Sequence, residues 1–384
     1  MRVRDQLSLG ILAVLIGVVA GGALLVPFVA ISYRRRGGLR FSRLVLWTAA
    51  LVYFWAIWTY TLLPLPDPGS IRCAGVNLNP FELVTDVRAA LARPGPWIAD
   101  AGVLQLLLNV LLFVPLGFFV RVLGGRGILI AGLVGLGFSA FIETTQLTGV
   151  WGLYPCAYRV FDVDDMITNT SGAILGSAIA LAVPARLRGT KRAADADLPR
   201  PVTRGRRALA MLCDAAGFWS LAVAVALAVQ LGLQFLAGVT GNAPLAQTDA
   251  AGIVGTLFAV AVWVGVGLIT GRSVGDLAVM LRYTGGRVPV WLARPLRIAG
   301  GIVGYTALDA LPDPWSALGG IFLLAVFVLF FATKAGRGLP GVLSGQVLED
   351  SRSGVVTDGR VDSRNRSHIA VVEEPESGED SGDR

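Results

Sequence analysis

Histidine is almost missing from this 384-residue chain, and the one present, His368, lies in a polar C-terminal stretch. A histidine-based catalytic dyad or metal cage inside the apolar part is thereby excluded. Cysteine is nearly as scarce: Cys73, Cys156 and Cys213 allow one bridge but no disulfide scaffold. There is no serine-nucleophile motif, no His/Cys ligand spacing and no phosphate-cradling glycine loop; the 48 glycines fall in apolar runs and turns. Neither a metal nor a cofactor is called for. Charged residues make up only 15% of the chain against 54% hydrophobic, and mean hydropathy is +0.66. That balance excludes a water-soluble globule and reads as all-α, a polytopic integral membrane protein of the cell membrane.

What the chain does contain is apolar runs of about 18–25 residues, long enough to cross about 30 Å of hydrocarbon. They predict about nine transmembrane helices in two helical modules, near 7–32, 43–63, 102–121, 127–148, 166–185, 208–236, 251–270, a short one at 297–311, and 315–333. The first run lacks a small-residue cleavage pattern and is followed by basic residues, so it reads as a retained span. The organisation expected is an N-terminal helix and basic loop (1–44), a first membrane module (45–185), a basic linker (186–206), a second module (207–340) and a disordered acidic tail (341–384). The tail holds ten acidic residues against five arginines, so a chain of net +7 carries +12 outside it. That excess lies in loops and is no nucleic-acid patch.

The loop cations set orientation. Arg34, Arg35, Arg36, Arg40 and Arg43 follow the first span, Arg121 and Arg126 the third, the linker arginines the fifth, and Arg272, Arg282, Arg287, Arg294 and Arg297 the seventh. All can face the cytoplasm together, with the N-terminus external and the tail cytoplasmic if the short eighth run crosses. Cys73 and Cys156 then share the oxidising side, and a disulfide between them is expected. Cys213 reads as core packing.

Within RVFDVDDMITNTSGAILG, Arg159, Asp162, Asp164 and Asp165 crowd the outer end of the fifth span. Acids there complement a helix N-terminus, and Asp165 is placed to cap it. Asp165, Asn169, Gly172 and Gly176 also fall on one helical face. Glu143 and Gln146 lie three apart at the outer end of the fourth span, and Asn109 sits just below the outer end of the third. These residues (Asn109, Glu143, Gln146, Arg159, Asp162, Asp165 and Asn169) form the candidate ligand site. Glu143 stands out because an intramembrane glutamate must find a cation, a proton or a ligand, and Arg159 is the expected partner. Gluing of helices by hydrogen bonds is the alternative.

The order TLLPLPDP, NLNPFELV, LLLNVLLFVPLGFF, FSAFIETTQL and RVFDVDDMITNTSGAILG, over about residues 45–185, resembles the VanZ-like family. Its motif positions here are Asn109, Phe113, Pro115 and Gly117; Glu143 and Gln146; and Asp162, Asp165, Asn169 and Gly172. The resemblance implies a link to resistance against teicoplanin, a lipid-tailed glycopeptide, and names a phenotype rather than a reaction. In the second module, GRRALAMLCDAAGFWSLAV and TGRSVGDLAVMLR resemble the RDD family, over about residues 204–348. Arg207 and Asp214, seven apart on one helical face of this membrane domain, are expected to act as a structural pair linked through a partner group. Two positions depart from the family's pattern: Asp276 stands where lysine is usual, and Gly341 where an aspartate is expected.

Three functions stay open. The first is an outward-facing polar pocket for a membrane lipid head group, a lipid-linked wall precursor or a lipoglycopeptide, with the basic linker adding contact to anionic lipid heads. The second is a cation/proton-coupled transporter using Asp214. The third, an enzyme acting on an envelope lipid, would set Glu143 and Asp165 as base and electrostatic partner or on a divalent cation, but lacks any nucleophile motif. Oligomeric state leaves no mark in the sequence.

Overall fold

Uninterrupted apolar runs become helices because a helix satisfies all its backbone N–H and C=O groups internally, as hydrocarbon demands. The structure is a computed structural model describing residues 3–62, 71–80, 82–152, 154–189, 191–235 and 249–353. Its first half comprises α1 (Val3–Arg36), α2 (Phe41–Leu62), β1 (Val76–Asn77), α3 (Glu82–Ala92), α4 (Ala101–Val122), α5 (Ile128–Leu147), β2 (Phe161–Asp162) and α6 (Val163–Ile179). The second half follows with α7 (Arg204–Phe235), α8 (Ala250–Thr270), α9 (Val274–Ala278), β3 (Leu281–Thr284), α10 (Val290–Ala299), α11 (Ile302–Asp309), α12 (Ala317–Ala332), α13 (Gly338–Ser344) and β4 (Val347–Asp350).

Among the described residues six helices are long and apolar enough to cross a membrane: Gly17–Arg36 within α1, α2, α4, α5, Arg204–Leu233 within α7, and α8. The expected span at 166–185 is the shorter α6, of 17 residues. The expected span at 297–311 is not one helix. It breaks at Gly300–Gly301 into α10 and α11, where the Gly300 backbone presses on Pro340 so closely that a Cβ would lie 2.9 Å from it. The eight residues of α11 rise only about 12 Å.

Part of the tail expected from 341 is folded, because residues 341–353 complete the second module. β4 pairs antiparallel with β3, Leu281 opposite Asp350. Asp350 accepts hydrogen bonds from Arg206 Nη1 (2.8 Å) and the Arg200 backbone N–H (3.0 Å), and Arg352 donates to the Ala196 carbonyl (2.7 Å). The last described residues thus lie against the linker. Residues 354–384 are outside the described part.

In the first module α4 and α6 run parallel with α5 antiparallel between their ends. Three glycines bring α4 and α6 to backbone contact: a Cβ on Gly117 would sit 1.7 Å from the Ala173 carbonyl oxygen, on Gly172 2.1 Å from that of Val110, and on Gly176 1.8 Å from that of Val114. The glycine Cα–H groups therefore point at carbonyls, contacts worth about 0.5–1 kcal/mol each. The register repeats at both ends of the pair, as Asn109 Nδ2 donates to Asp165 Oδ1 (2.6 Å) and Arg121 Nε to Ser177 Oγ (2.8 Å). α2 closes the group through buried Ile57, packed with Phe113 and Ile142. Pro115 leaves the Leu111 carbonyl without its helical N–H, and one residue on Tyr53 donates its hydroxyl to the Leu112 carbonyl (2.6 Å).

α1 joins the halves. Gly17 and Gly21 admit Trp55 and Leu51 of α2, while Gly22 meets Ala216 and Ser220 of α7. Leu25, Val29 and Tyr33 are buried with Ala210, Cys213, Val279 and Leu281 of the second module. α7 and α8 pack antiparallel, with Gly255 against the Ala222 carbonyl and Phe218 edge-on to Trp263.

Candidate functional site

At the end of α5 the chain reverses through a left-handed turn, Gly149–Gly152, in which Val150 and Trp151 have φ of 55° and 58°. Such conformations cost about 1–3 kcal/mol each and need support. Gly149 lies against the Tyr154 and Cys156 carbonyls, where a Cβ would approach to 2.7 Å. Cys156 is disulfide-bonded to Cys73, 83 residues away. From there β1 pairs parallel with β2, Val76 opposite Phe161 and Asn77 opposite Asp162. The short ladder delivers Asp162 to the start of α6.

Four carboxylates gather at this end. Asp162 is the N-cap of α6, in place of Asp165: its side chain accepts from Asp164 N–H (2.8 Å) and from Asn77 Nδ2 (3.2 Å). Its own N–H donates to Glu143 Oε2 (3.1 Å), so the buried glutamate satisfies the end of β2. Asp164, 4% exposed, accepts from the Leu83 N–H at the head of α3 (2.7 Å). Asp165 accepts from Asn109. One turn further in, buried Asn169 donates to Ser139 Oγ of α5 (2.8 Å). Asp164 Oδ1 and Asn169 Oδ1 are buried without a donor among the described residues.

Two expected members stand differently. Gln146 Nε2 (2.8 Å) and Arg159 Nη1 (3.3 Å) both donate to the Thr61 carbonyl in the last turn of α2. They satisfy a helix end, and Arg159 makes no direct pair with Glu143 among the described contacts. Backbone carbonyls leave no trace in sequence patterns, so this role was hidden. Asn77 and Ser139 join the cluster unannounced, although both lie inside quoted motifs, and Asp164, noted among the acids at this helix end but not among the candidate ligands, joins it too. Among the described residues no three His, Cys, Asp or Glu side chains are grouped to hold a metal ion.

The second module buries its own charges. Arg207 bonds directly to Asp276 rather than to Asp214. Asp214 is satisfied by Trp263 Nε1 (3.0 Å), Gly275 N–H (2.8 Å) and Ser273 Oγ (2.6 Å). Ser273 also accepts the Asp276 N–H (3.0 Å), so among the described residues the expected Arg207–Asp214 pair is linked through Asp276 and Ser273. The close approach of α9 to α7 makes this geometry, since a Cβ on Gly275 would lie 1.9 Å from the Ala210 carbonyl. An adjoining cavity of about 340 Å³ is lined by Arg207, Asp214, Trp219 and Phe330 among others.

Compared with known proteins, residues 50–184 match the family described as VanZ/LLP1. No curated protein and no solved structure matches the chain. The matched segment runs from α2 to beyond α6 and holds the gathered carboxylates with both disulfide cysteines; the second module lies outside it. The apolar helices and this match together support a multi-pass membrane protein whose first module is VanZ-like.

Proposed function

We propose that the acidic end of the first module binds the polar head of an envelope lipid, a lipid-linked wall precursor or a lipoglycopeptide, and recognises it through hydroxyl or ammonium donors. The observation that carries this reading is a surplus of buried acceptors. Among the described residues Arg159 is the one cation acting on Glu143 and Asp165, and Asp164 Oδ1 and Asn169 Oδ1 have no donor. Helix glue alone would pair each acceptor, since an unpaired buried polar atom destabilises a fold. The flanking helices are apolar outside, which suits a ligand with a lipid tail. On this reading the acidic end faces outward from the cell membrane, with the N-terminus external and the C-terminal tail cytoplasmic.

The test is teicoplanin susceptibility in cells producing the intact protein, Glu143→Gln, Asp165→Asn or no protein, at matched membrane levels. Protection by the intact chain at a severalfold higher antibiotic concentration, lost in both variants, supports the site. Equal susceptibility of all four strains sinks the link to the antibiotic. A second reading, cation/proton-coupled transport by an RDD-like second module, draws on the buried Arg207, Asp214 and Asp276 beside their cavity. It requires a pH-dependent cation flux in vesicles that Asp214→Asn abolishes. Turnover of an envelope lipid dependent on added Mg²⁺ or Ca²⁺ would instead make the acidic end catalytic.

A further inference from the structure

At the helix ends remote from the carboxylates, the linker folds against the ends of α1, α2 and α4 around a cleft walled by cations. It consists of two adjoining cavities of about 430 and 470 Å³. Five arginine or lysine residues line the first and eight the second, Arg188 and Lys191 being shared, and Asp195 is the one acid among the lining residues.

Loop cations that merely fix membrane topology need only reach water. These do more. Arg43 is 9% exposed, and its Nη1 donates to the Gly189 carbonyl (2.8 Å), which Arg36 Nη2 shares (2.5 Å). Two guanidinium groups are thus held on one carbonyl against their mutual repulsion. The Nε atoms of Arg36, Arg43, Arg188 and Arg200 are all buried with no acceptor among the described residues. Backbone geometry builds the convergence. Gly125 and Gly189, at φ +68° and +70°, touch so closely that a Cβ on Gly125 would lie 2.7 Å from the Gly189 Cα, and Gly189 N–H is tied to the Val122 carbonyl (2.8 Å). Gly37, at φ +72°, leaves the space that Arg200 fills, since a Cβ there would lie 2.5 Å from its Nε.

Planar guanidinium groups gathered at this density suit phosphate oxygens, even with Arg192 paired to Asp197 and Arg200 to Asp195. We propose that this cleft is a binding site for a head group carrying two phosphates, one reaching each cavity and both gripped by Arg188 and Lys191 at the junction. The ends of α1, α2 and α4 place the cleft at one membrane face, where lipid head groups supply that chemistry; a soluble diphosphate is the other source.

The experiment uses the full chain in neutral detergent and follows its unfolding temperature with three probes: diphosphatidylglycerol, phosphatidylglycerol at equal total charge, and inorganic pyrophosphate. Stabilisation by diphosphatidylglycerol at concentrations at least tenfold below those needed for phosphatidylglycerol is expected. Displacement of that lipid by pyrophosphate assigns recognition to the diphosphate itself, whereas no displacement assigns it to the lipid. Arg43→Gln with Arg188→Gln should weaken the effect tenfold or more. Because Arg43 is buried, Arg40→Gln with Arg186→Gln, both exposed lining residues, provides a second variant that spares the fold. Arg93→Gln, on the connection between α3 and α4, should change nothing. Equal action of the two lipids, or undiminished binding in the exposed-residue variant, overturns the proposal.

Discussion

Asp350 accepts from the Arg352 backbone and side chain, from the Arg200 backbone and from Arg206, all within 3.0 Å. Burial alone would push its carboxyl up, but the bonds from Arg352, Arg200 and Arg206 outweigh burial and hold it well below the usual carboxylate range. In the unfolded chain the same group titrates near its ordinary value of about 3.9. The stabilisation it supplies is therefore complete above about pH 4 and drains away as the pH falls further. Asp350→Asn strands the buried Arg206 and should destabilise the fold at neutral pH by about 3–5 kcal/mol. Thermal unfolding in detergent should show that gap between parent and variant narrowing below about pH 4. A gap that stays constant there would mean shape, not charge, is what Asp350 provides.

Between elements, the contact of α4 with α6 has the least slack. Gly176→Val would drive a side chain into the Val114 carbonyl and separate the helices, with a loss of about 1–3 kcal/mol or more. Unfolding temperature should fall, and the Asn109–Asp165 bond should be lost with it, while an alanine on the open face at Gly137, where a Cβ meets nothing within 4 Å, should be neutral. This pairing was legible in the sequence as far as its periodicity goes: Asp165, Asn169, Gly172 and Gly176 share a face because a helix repeats every 3.6 residues. Which neighbour each residue meets was not legible. Asp165 and both glycines go to α4, but Asn169 reaches Ser139 of α5. The groups that Gln146, Arg159 and Asp164 meet at Thr61 and Leu83 are a backbone carbonyl and a backbone N–H, which any residue supplies. Hydropathy likewise located the six long helices yet joined α10 to α11, because an averaged window does not register two glycines that break a helix.

At the scale of the whole molecule, the disulfide offers a test of the orientation proposed. Cys73 and Cys156 close a separation of 83 residues, which in the chain-entropy account contributes roughly 4–5 kcal/mol when oxidised. In membranes from producing cells, both should resist alkylation until a reductant is added, and a peptide joining them should appear in non-reduced digests. Free thiols at both positions would put the acidic end on the reducing side and reverse the orientation proposed. The linker, which the sequence presents as a tether, is instead clamped: Ala193 N–H bonds to the Arg35 carbonyl (2.7 Å), and the strand end at Asp350 and Arg352 grips residues 196–206. With α1 packed on both α2 and α7, the two modules are joined along a helix as well as through this clamp.

The parallel register of α4 and α6 has a mechanical consequence. Asn109–Asp165 and Arg121–Ser177 lie twelve residues apart on the same two helices, about 18 Å along the axis. Glycine-to-carbonyl contact between them leaves little room for tilting or for sliding. Sliding by one residue breaks both bonds in a single stroke. Arg121 lines the cationic cleft, and Asp165 belongs to the carboxylate cluster, so the α4–α6 pair ties the two polar ends of the first module to one another.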